Sequence, residues 1–277
     1  MISNSRAGSH AGGADDLVRL DPDHPGFRDA AYCERRNRIA RLALDYRAGD
    51  ALPAAPYTEE EHAVWRTIWH ELAPLHERWA FATYRCCAEL LAMDHTHIPQ
   101  FAELNARIEP ATGFRLLPVA GLLSARRFFE YLADGVFLST QYIRHHSRPL
   151  YTPEPDVVHE LAGHAVMLMD ERYARLSRAF GRAARDADDA RITELERIYW
   201  YTIEFGVVRE GGGLKAYGAG LLSGAGELQR FATHTELRPF DLADMAARPY
   251  DPTGFQPVIY VAENLAQIEG LITYLAR

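Results

Sequence analysis

The sequence predicts a mainly α fold built as one domain with a few short strands. Apolar residues recur at helical spacing through much of the chain, several of those runs open on recognisable cap residues, and only two short segments read as strands. From Met1 to Asp16 the chain is rich in Ser, Gly, Ala and His and offers nothing to a core, so residues 1–18 are expected to form a flexible tail and residues 19–277 the folded domain. Residues 34–46 place Ile39, Leu42, Ala43 and Tyr46 on one helix face. Thr58 followed by Glu59, Glu60 and Glu61 reads as a capping box, with acids on the positive end of a helix carrying Val64, Trp65, Ile68, Trp69 and Leu72. Residues 78–93 repeat the pattern. Ser124 opens a further helix through Phe128, Phe129, Leu132 and Val136. The strand candidates are 114–119 and 258–261. Pro149, Pro153 and Pro155 make 147–156 an extended loop, and a helix follows with Asp156 as its cap. Helices are also expected over 192–208 and 264–275, with a glycine-punctuated loop over 215–223.

Composition narrows the function classes. The chain has 277 residues, 48% hydrophobic and 25% charged, which excludes wholesale disorder. Its net charge of −8 argues against a non-specific nucleic-acid binder, and all basic residues but Lys215 are Arg. Cys33, Cys86 and Cys87 are odd in number and form no C-x-x-C pair, so neither a disulfide framework nor a thiolate zinc site is expected. No apolar run approaches the roughly 18 residues of a membrane span, and the N-terminus lacks a signal peptide's apolar stretch. These features predict a cytoplasmic protein with neither nucleic acid nor membrane as partner.

The chemistry concentrates in two segments. His159-Glu160-Leu161-Ala162-Gly163-His164 is one residue longer than the zinc-protease pattern, in which the histidines are four apart and stack on one helix face. Five apart on a regular α-helix, they lie about 140° apart. They do not stack there, yet they can clasp one ion lying off the helix, particularly if Gly163 loosens the turn. The alternative is two ordinary core or surface histidines. Residues 198–208 are apolar nearly all round, and Glu204 is the one acid among them. A buried carboxylate needs a partner, either a metal ion or an arginine. Two imidazoles and one carboxylate make a facial triad with open positions opposite, the pattern of non-haem Fe(II) oxygenases; zinc remains formally possible. His70 and His76, six apart around Pro74, read as structural on a helix that the proline interrupts. His95 and His97 read as loop residues, and His145 and His146 as solvated surface.

The stretch from Thr152 to His164 resembles the iron-binding signature of the pterin-dependent aromatic amino acid hydroxylases. The resemblance extends through 113–124, 140–145, 199–206 and 215–223, and covers about nine-tenths of the chain from Asp21 onward. It implies a mainly helical catalytic domain that uses Fe(II), tetrahydrobiopterin and O₂ to hydroxylate an aromatic amino acid. It implies His159, His164 and Glu204 as iron ligands and Arg144 as the partner of the substrate carboxylate. Asp156 would orient Arg144, Thr152 and Ser223 would hold the amino-acid backbone, and Trp200 and Pro155 would line the ring pocket. Phe128 would stack on the pterin, with Gly121, Leu123 and Ala125 on its binding loop and Glu160 facing it near the iron. Tyr199 and Phe205 would stand close to the metal, with Tyr250 supporting the site. The chain carries no counterpart of the family's regulatory domain or tetramerising hairpin and helix, so a monomer is expected. Trp200 resembles the phenylalanine and tyrosine enzymes, and Pro252 occupies a loop position where tyrosine enzymes carry Asp, with Asp251 beside it. L-Phenylalanine is therefore the expected substrate, at the para or the meta carbon, with tyrosine and then tryptophan as alternatives. The readings from other classes are a zinc hydrolase and a non-catalytic amino-acid-binding relative.

Overall fold

The computed structural model describes Val18 and residues 20–276. The expected tail, residues 1–18, lies outside the described residues except for Val18. Helix α1 (Ala30–Asp45) is capped by Asp29, whose side chain accepts from the Tyr32 N–H. Helix α2 (Glu59–Trp79) opens with the capping box of Thr58 and Glu61 and buries Val64, Trp65, Ile68, Trp69 and Leu72. Pro74 lies inside α2 without ending it, contrary to expectation. A proline there forfeits one helical hydrogen bond, and the buried Leu72 and His76 on either side anchor the last turn to the core. The chain then extends at Ala80, which bridges to Ala216, so the segment 78–93 divides and α3 (Ala82–Leu91) is separate.

Helix α4 (Phe101–Thr112) begins at a capping box of Gln100 and Glu103 and stops at Gly113, in the left-handed region with φ 71°. Strand β1 (Arg115–Pro118), helix α5 (Ala125–Ala133) and strand β2 (Val136–Ser139) follow, with β1 and β2 parallel. Helix α5 ends before Val136 because Gly135 turns the chain at φ 72°. The run Val136-Phe137-Leu138 is apolar on both faces, so its sequence does not separate a helix end from a buried strand.

Helix α6 (Glu171–Ala184) packs against α5, with Phe129 and Phe180 stacked at 6.0 Å. Helix α7 (Asp189–Tyr199) leads into a π-helical turn, Trp200–Glu204. The helical run therefore ends before 208, and Val207 belongs to a strand. Strands β3 (Val207–Glu210), β4 (Gly213–Ala216), β5 (Glu236–Pro239) and β6 (Val258–Ala262) form a sheet ordered β4-β3-β6-β5. Only β3 and β4 are antiparallel. The expected loop 215–223 thus contains the end of β4 and a short helix, α8 (Ala219–Ser223). The C-terminal helix is split at Gly270 into Leu265–Glu269 and Leu271–Leu275. The fold is mainly helical, as the sequence predicts. One hydrophobic cluster runs from Val64 on α2 to Leu275. Among the described residues no helix is long and apolar enough to cross a membrane.

A candidate metal centre

His159 and His164 lie on a π-helical turn, His159–Ala165, and this corrects the angular reckoning for a regular helix. In a π-helix the hydrogen bonds span five residues rather than four, so side chains five apart lie about one turn apart. The two rings meet edge to face with centroids 4.8 Å apart, and their Nε2 atoms are 3.1 Å apart. The wide turn rests on α8: a Cβ on Gly163 would stand 2.8 Å from the Ala219 carbonyl oxygen. Asp156 caps the segment, accepting from the His159 N–H at 3.3 Å.

Glu204 arrives from the second π-helical turn. Its Oε2 lies 3.4 Å from His159 Nε2, and its Oε1 lies 3.2 Å from His164 Nε2. No Arg or Lys of the described residues pairs with it. Burial alone would raise the Glu204 carboxyl, but the His164 and His159 imidazoles outweigh it and hold the group well below the usual carboxylate range. Burial pulls His164 down to about 4, so this imidazole is neutral at neutral pH, the form that ligates metals. Burial opposes protonation of His159 too, but the facing Glu204 carboxylate outweighs it and raises that group.

The tautomer of His159 follows from its neighbour. Ser223 Oγ donates its single proton to the Ala219 carbonyl at 2.7 Å. It is therefore placed to accept from His159 Nδ1 at 3.0 Å, so that Nε2, which faces Glu204, is the nitrogen an ion would take. Ser223 thus contacts His159 directly.

Around this triad, Arg144 and Asp156 form a buried two-pronged pair. Arg144 Nε donates to Asp156 Oδ2 at 2.9 Å and Nη2 to Oδ1 at 2.8 Å, which leaves Nη1 outside the pair. Burial would raise the Asp156 carboxyl, but the Arg144 guanidinium outweighs it and lowers it. Thr152 turns inward on its own loop, donating to the Glu154 carbonyl at 2.8 Å, and Pro155 is half-buried. Trp200 stacks on Tyr250 at 4.1 Å and lies 4.7 Å from Phe205. Its Nε1 donates to Gln256 Oε1 at 2.8 Å, and Tyr250 donates to Glu196 at 2.6 Å. Tyr199 and Phe128 are buried together, centroids 5.7 Å apart, and Phe137 joins Phe128 to the His164 ring at 4.7 Å. Gly121 and Leu123 lie on the loop before α5 and Ala125 is its first residue. Both carboxylate oxygens of Glu160 are buried without a hydrogen-bond partner, and burial pushes the group up to about 7.

Sequence reasoning did not single out Tyr173, Phe137, Gln256 or Glu196. Each is an ordinary core or surface residue by spacing, and only the approach of distant elements gives it a partner. His145 is buried, not solvated, because its Nε2 faces Asp29 Oδ2 at 3.2 Å. Asp29, His145 and His146 bring ligand-type atoms together. However, the Ser147 N–H donates to His145 Nδ1, which leaves the proton on Nε2 as a donor to Asp29. This cluster therefore ties the cap of α1 to the segment after Arg144.

The sequence profile of biopterin-dependent aromatic amino acid hydroxylases matches residues 15–276. The chain belongs to that family. It is 45% identical to phenylalanine-4-hydroxylase of Rattus norvegicus over 264 residues, 94% of this chain and 58% of that protein. It is 44% identical to tyrosine 3-monooxygenase of Mus musculus over 269 residues, 93% of this chain and 53% of that protein. The chain thus spans little more than half the length of these curated relatives. Among solved structures, Chromobacterium violaceum phenylalanine hydroxylase with bound iron(III) and 7,8-dihydrobiopterin superposes with a TM-score of 0.78 at 30% identity, over 86% of this chain and 90% of that one. The Legionella pneumophila phenylalanine hydroxylase gives 0.76 at 30% identity, over 81% and 90%.

Proposed function

We propose that this chain is an Fe(II)- and tetrahydrobiopterin-dependent monooxygenase that hydroxylates the ring of L-phenylalanine with O₂. The reading rests on one observation above the others. Two imidazole nitrogens and one carboxylate approach within 3.4 Å of one another with no other cation among the described residues to neutralise the acid. Two nitrogens and one oxygen suit Fe(II) and leave positions free on the opposite side. The orphaned Glu160 carboxylate fits a pterin, whose ring N–H groups would satisfy it. Residues 19–277 act in this reading as one catalytic domain, supported by the span of the family match and by the hydrophobic cluster that runs from Val64 to Leu275. A cytoplasmic location is in keeping with the free thiols of Cys86 and Cys87.

His159, His164 and Glu204 would hold the iron, and Glu160, Phe128 and the loop of Gly121, Leu123 and Ala125 would receive the pterin. When bound, iron and pterin together supply O₂ activation. The chain's own part is binding, orientation and exclusion of water. Arg144, held by Asp156, presents its guanidinium to the substrate carboxylate, and Thr152 lies on the loop that receives the amino-acid backbone. Trp200 and Pro155 line the ring pocket, and Phe205, 4.7 Å from Trp200, stands with Tyr199 on the metal side. Trp200 is fixed on one face by Tyr250 and at its N–H by Gln256, so ring placement is set before substrate arrives.

Anaerobic loading with Fe(II), then incubation with tetrahydrobiopterin, O₂ and each of L-phenylalanine, L-tyrosine and L-tryptophan, tests the reading by chromatography of the products. Tyrosine from phenylalanine is expected, and Glu204→Ala should abolish turnover and weaken iron binding. No hydroxylation of any of the three would overturn the assignment. The 44% identity to a tyrosine 3-monooxygenase keeps tyrosine as the second substrate reading; dihydroxyphenylalanine as the main product would decide for it.

A further inference from the structure

His164 is fully buried, and its two ring nitrogens face different partners. Nε2 looks toward Glu204 and His159, whereas Nδ1 lies 3.2 Å from the hydroxyl of Tyr173. A neutral imidazole has one bare nitrogen. If Nε2 takes an ion, the proton must sit on Nδ1, and a buried N–H needs an acceptor. On His159 that acceptor is Ser223. On His164 the group in reach is the Tyr173 oxygen.

We infer that Tyr173 is a positioning residue for the metal centre: its hydroxyl is the partner of His164 Nδ1, keeps the ring turned with Nε2 toward Glu204, accepts the Nδ1 proton when Nε2 takes an ion, and so tightens divalent-metal binding. The inference rests on reading His159, His164 and Glu204 as ligands. A hydroxyl suits the task because it both accepts and donates. It accepts from Nδ1–H when Nε2 is bare, and donates to Nδ1 when Nε2 carries the proton and faces Glu204. A phenyl ring does neither and would leave one buried ring nitrogen unsatisfied in every state. Separate contacts place the tyrosine and the imidazole. Tyr173 lies in the first turn of α6, where Asp170 accepts its backbone N–H at 3.0 Å. Its ring helps to wall a small cavity with Met167, Ile203 and Tyr217. Phe137 packs on the His164 ring at 4.7 Å and limits its rotation.

Tyr173→Phe removes one oxygen and preserves the ring. Cobalt(II) titrated into the metal-free protein, followed by its d–d absorption, reads affinity and ligand field without turnover. Affinity is expected to fall about tenfold in Tyr173→Phe, with displaced d–d bands, while the metal-free variant unfolds as cooperatively as the parent. In the zinc-loaded parent, ¹⁵N-histidine NMR should show His164 protonated at Nδ1, and Tyr173→Phe should shift that resonance. Cobalt affinity within twofold of the parent, or a zinc-loaded His164 that carries no Nδ1 proton, overturns the inference. Glu204→Ala separates the two failures. If it weakens cobalt and Tyr173→Phe does not, only the role of Tyr173 falls; if it too leaves cobalt unchanged, the triad is wrong and the inference falls with it.

Discussion

Burial decides the protonation of the individual histidines more than their neighbours in sequence do. His76 is the clearest case outside the metal centre. It packs edge to face on Trp69 and Tyr84, its Nε2 bonds the Leu222 carbonyl at 2.6 Å, and His95 acts on it through its charge. Burial pulls its pKa from 6.5 down to about 4. The unfolded chain therefore takes up the proton first as pH falls. The contribution of His76 to stability is fully present above pH 6.5 and is lost as pH drops toward 4. Its size is about 3 kcal/mol, because each tenfold loss of proton affinity on folding is worth about 1.4 kcal/mol. Urea unfolding of the parent and of His76→Leu across that window should show the parent losing stability more steeply. A constant difference between the two proteins would contradict this account.

At the scale of elements, the two π-helical turns shape the centre. Each forfeits the tighter α ladder, and packing compensates: His159–Ala165 lies on α8, and Trp200–Glu204 runs into the turn at Gly206 before β3. A Cβ on Gly163 would overlap the Ala219 carbonyl oxygen and Cβ, at 2.8 and 2.9 Å, and the obstacle is mainly backbone. Gly163→Ala should therefore push the turn away from α8, drawing His159 from Ser223. The expected cost is about 1–3 kcal/mol, the range for overpacking, with cobalt(II) affinity reduced at least tenfold. Calorimetry and metal titration check both, and parent-like values would show that the turn yields without strain. The same close approach recurs at Gly218, where a Cβ would meet the Glu204 carbonyl oxygen at 2.4 Å. The glycine punctuation of 215–223, legible in the sequence as a loop signal, thus marks a place where backbone lies on backbone.

Over the whole molecule, the ligands come from segments forty residues apart, with α6 and α7 between them in the chain and one hydrophobic cluster around both. Metal binding should therefore stabilise the molecule as a unit. With cobalt(II) at a hundred times its dissociation constant, stability should rise by about 2.7 kcal/mol. Calorimetry should show one transition, moved upward by cobalt in the parent and not in Glu204→Ala. Two separate transitions, or a midpoint indifferent to cobalt, would show that the centre is not shared by the whole domain. Helix α1 lies outside the main cluster and joins through polar contacts. Arg36 Nη1 donates to Glu154 at 2.8 Å and stacks over Tyr142, while Tyr32 donates to the Ile143 carbonyl at 3.0 Å. These contacts brace the proline-rich loop beside Arg144.

The sequence by itself determined the helical class, the caps at Thr58 and Ser124, and which two histidines and which acid to bring into question. Helix periodicity and capping are local, and a lone carboxylate in an apolar segment is conspicuous in one dimension. Four short strands stayed hidden because four residues carry too little periodicity, and Pro74 failed to end its helix because the core held the turn beyond it. Tertiary structure alone decided the wide turn that stacks residues five apart, the hydrogen bonds that set each imidazole's tautomer, and the partners Tyr173, Ser223 and Gln256. Those depend on close approach between elements far apart in the chain, and such approaches exist only once the core has closed around them.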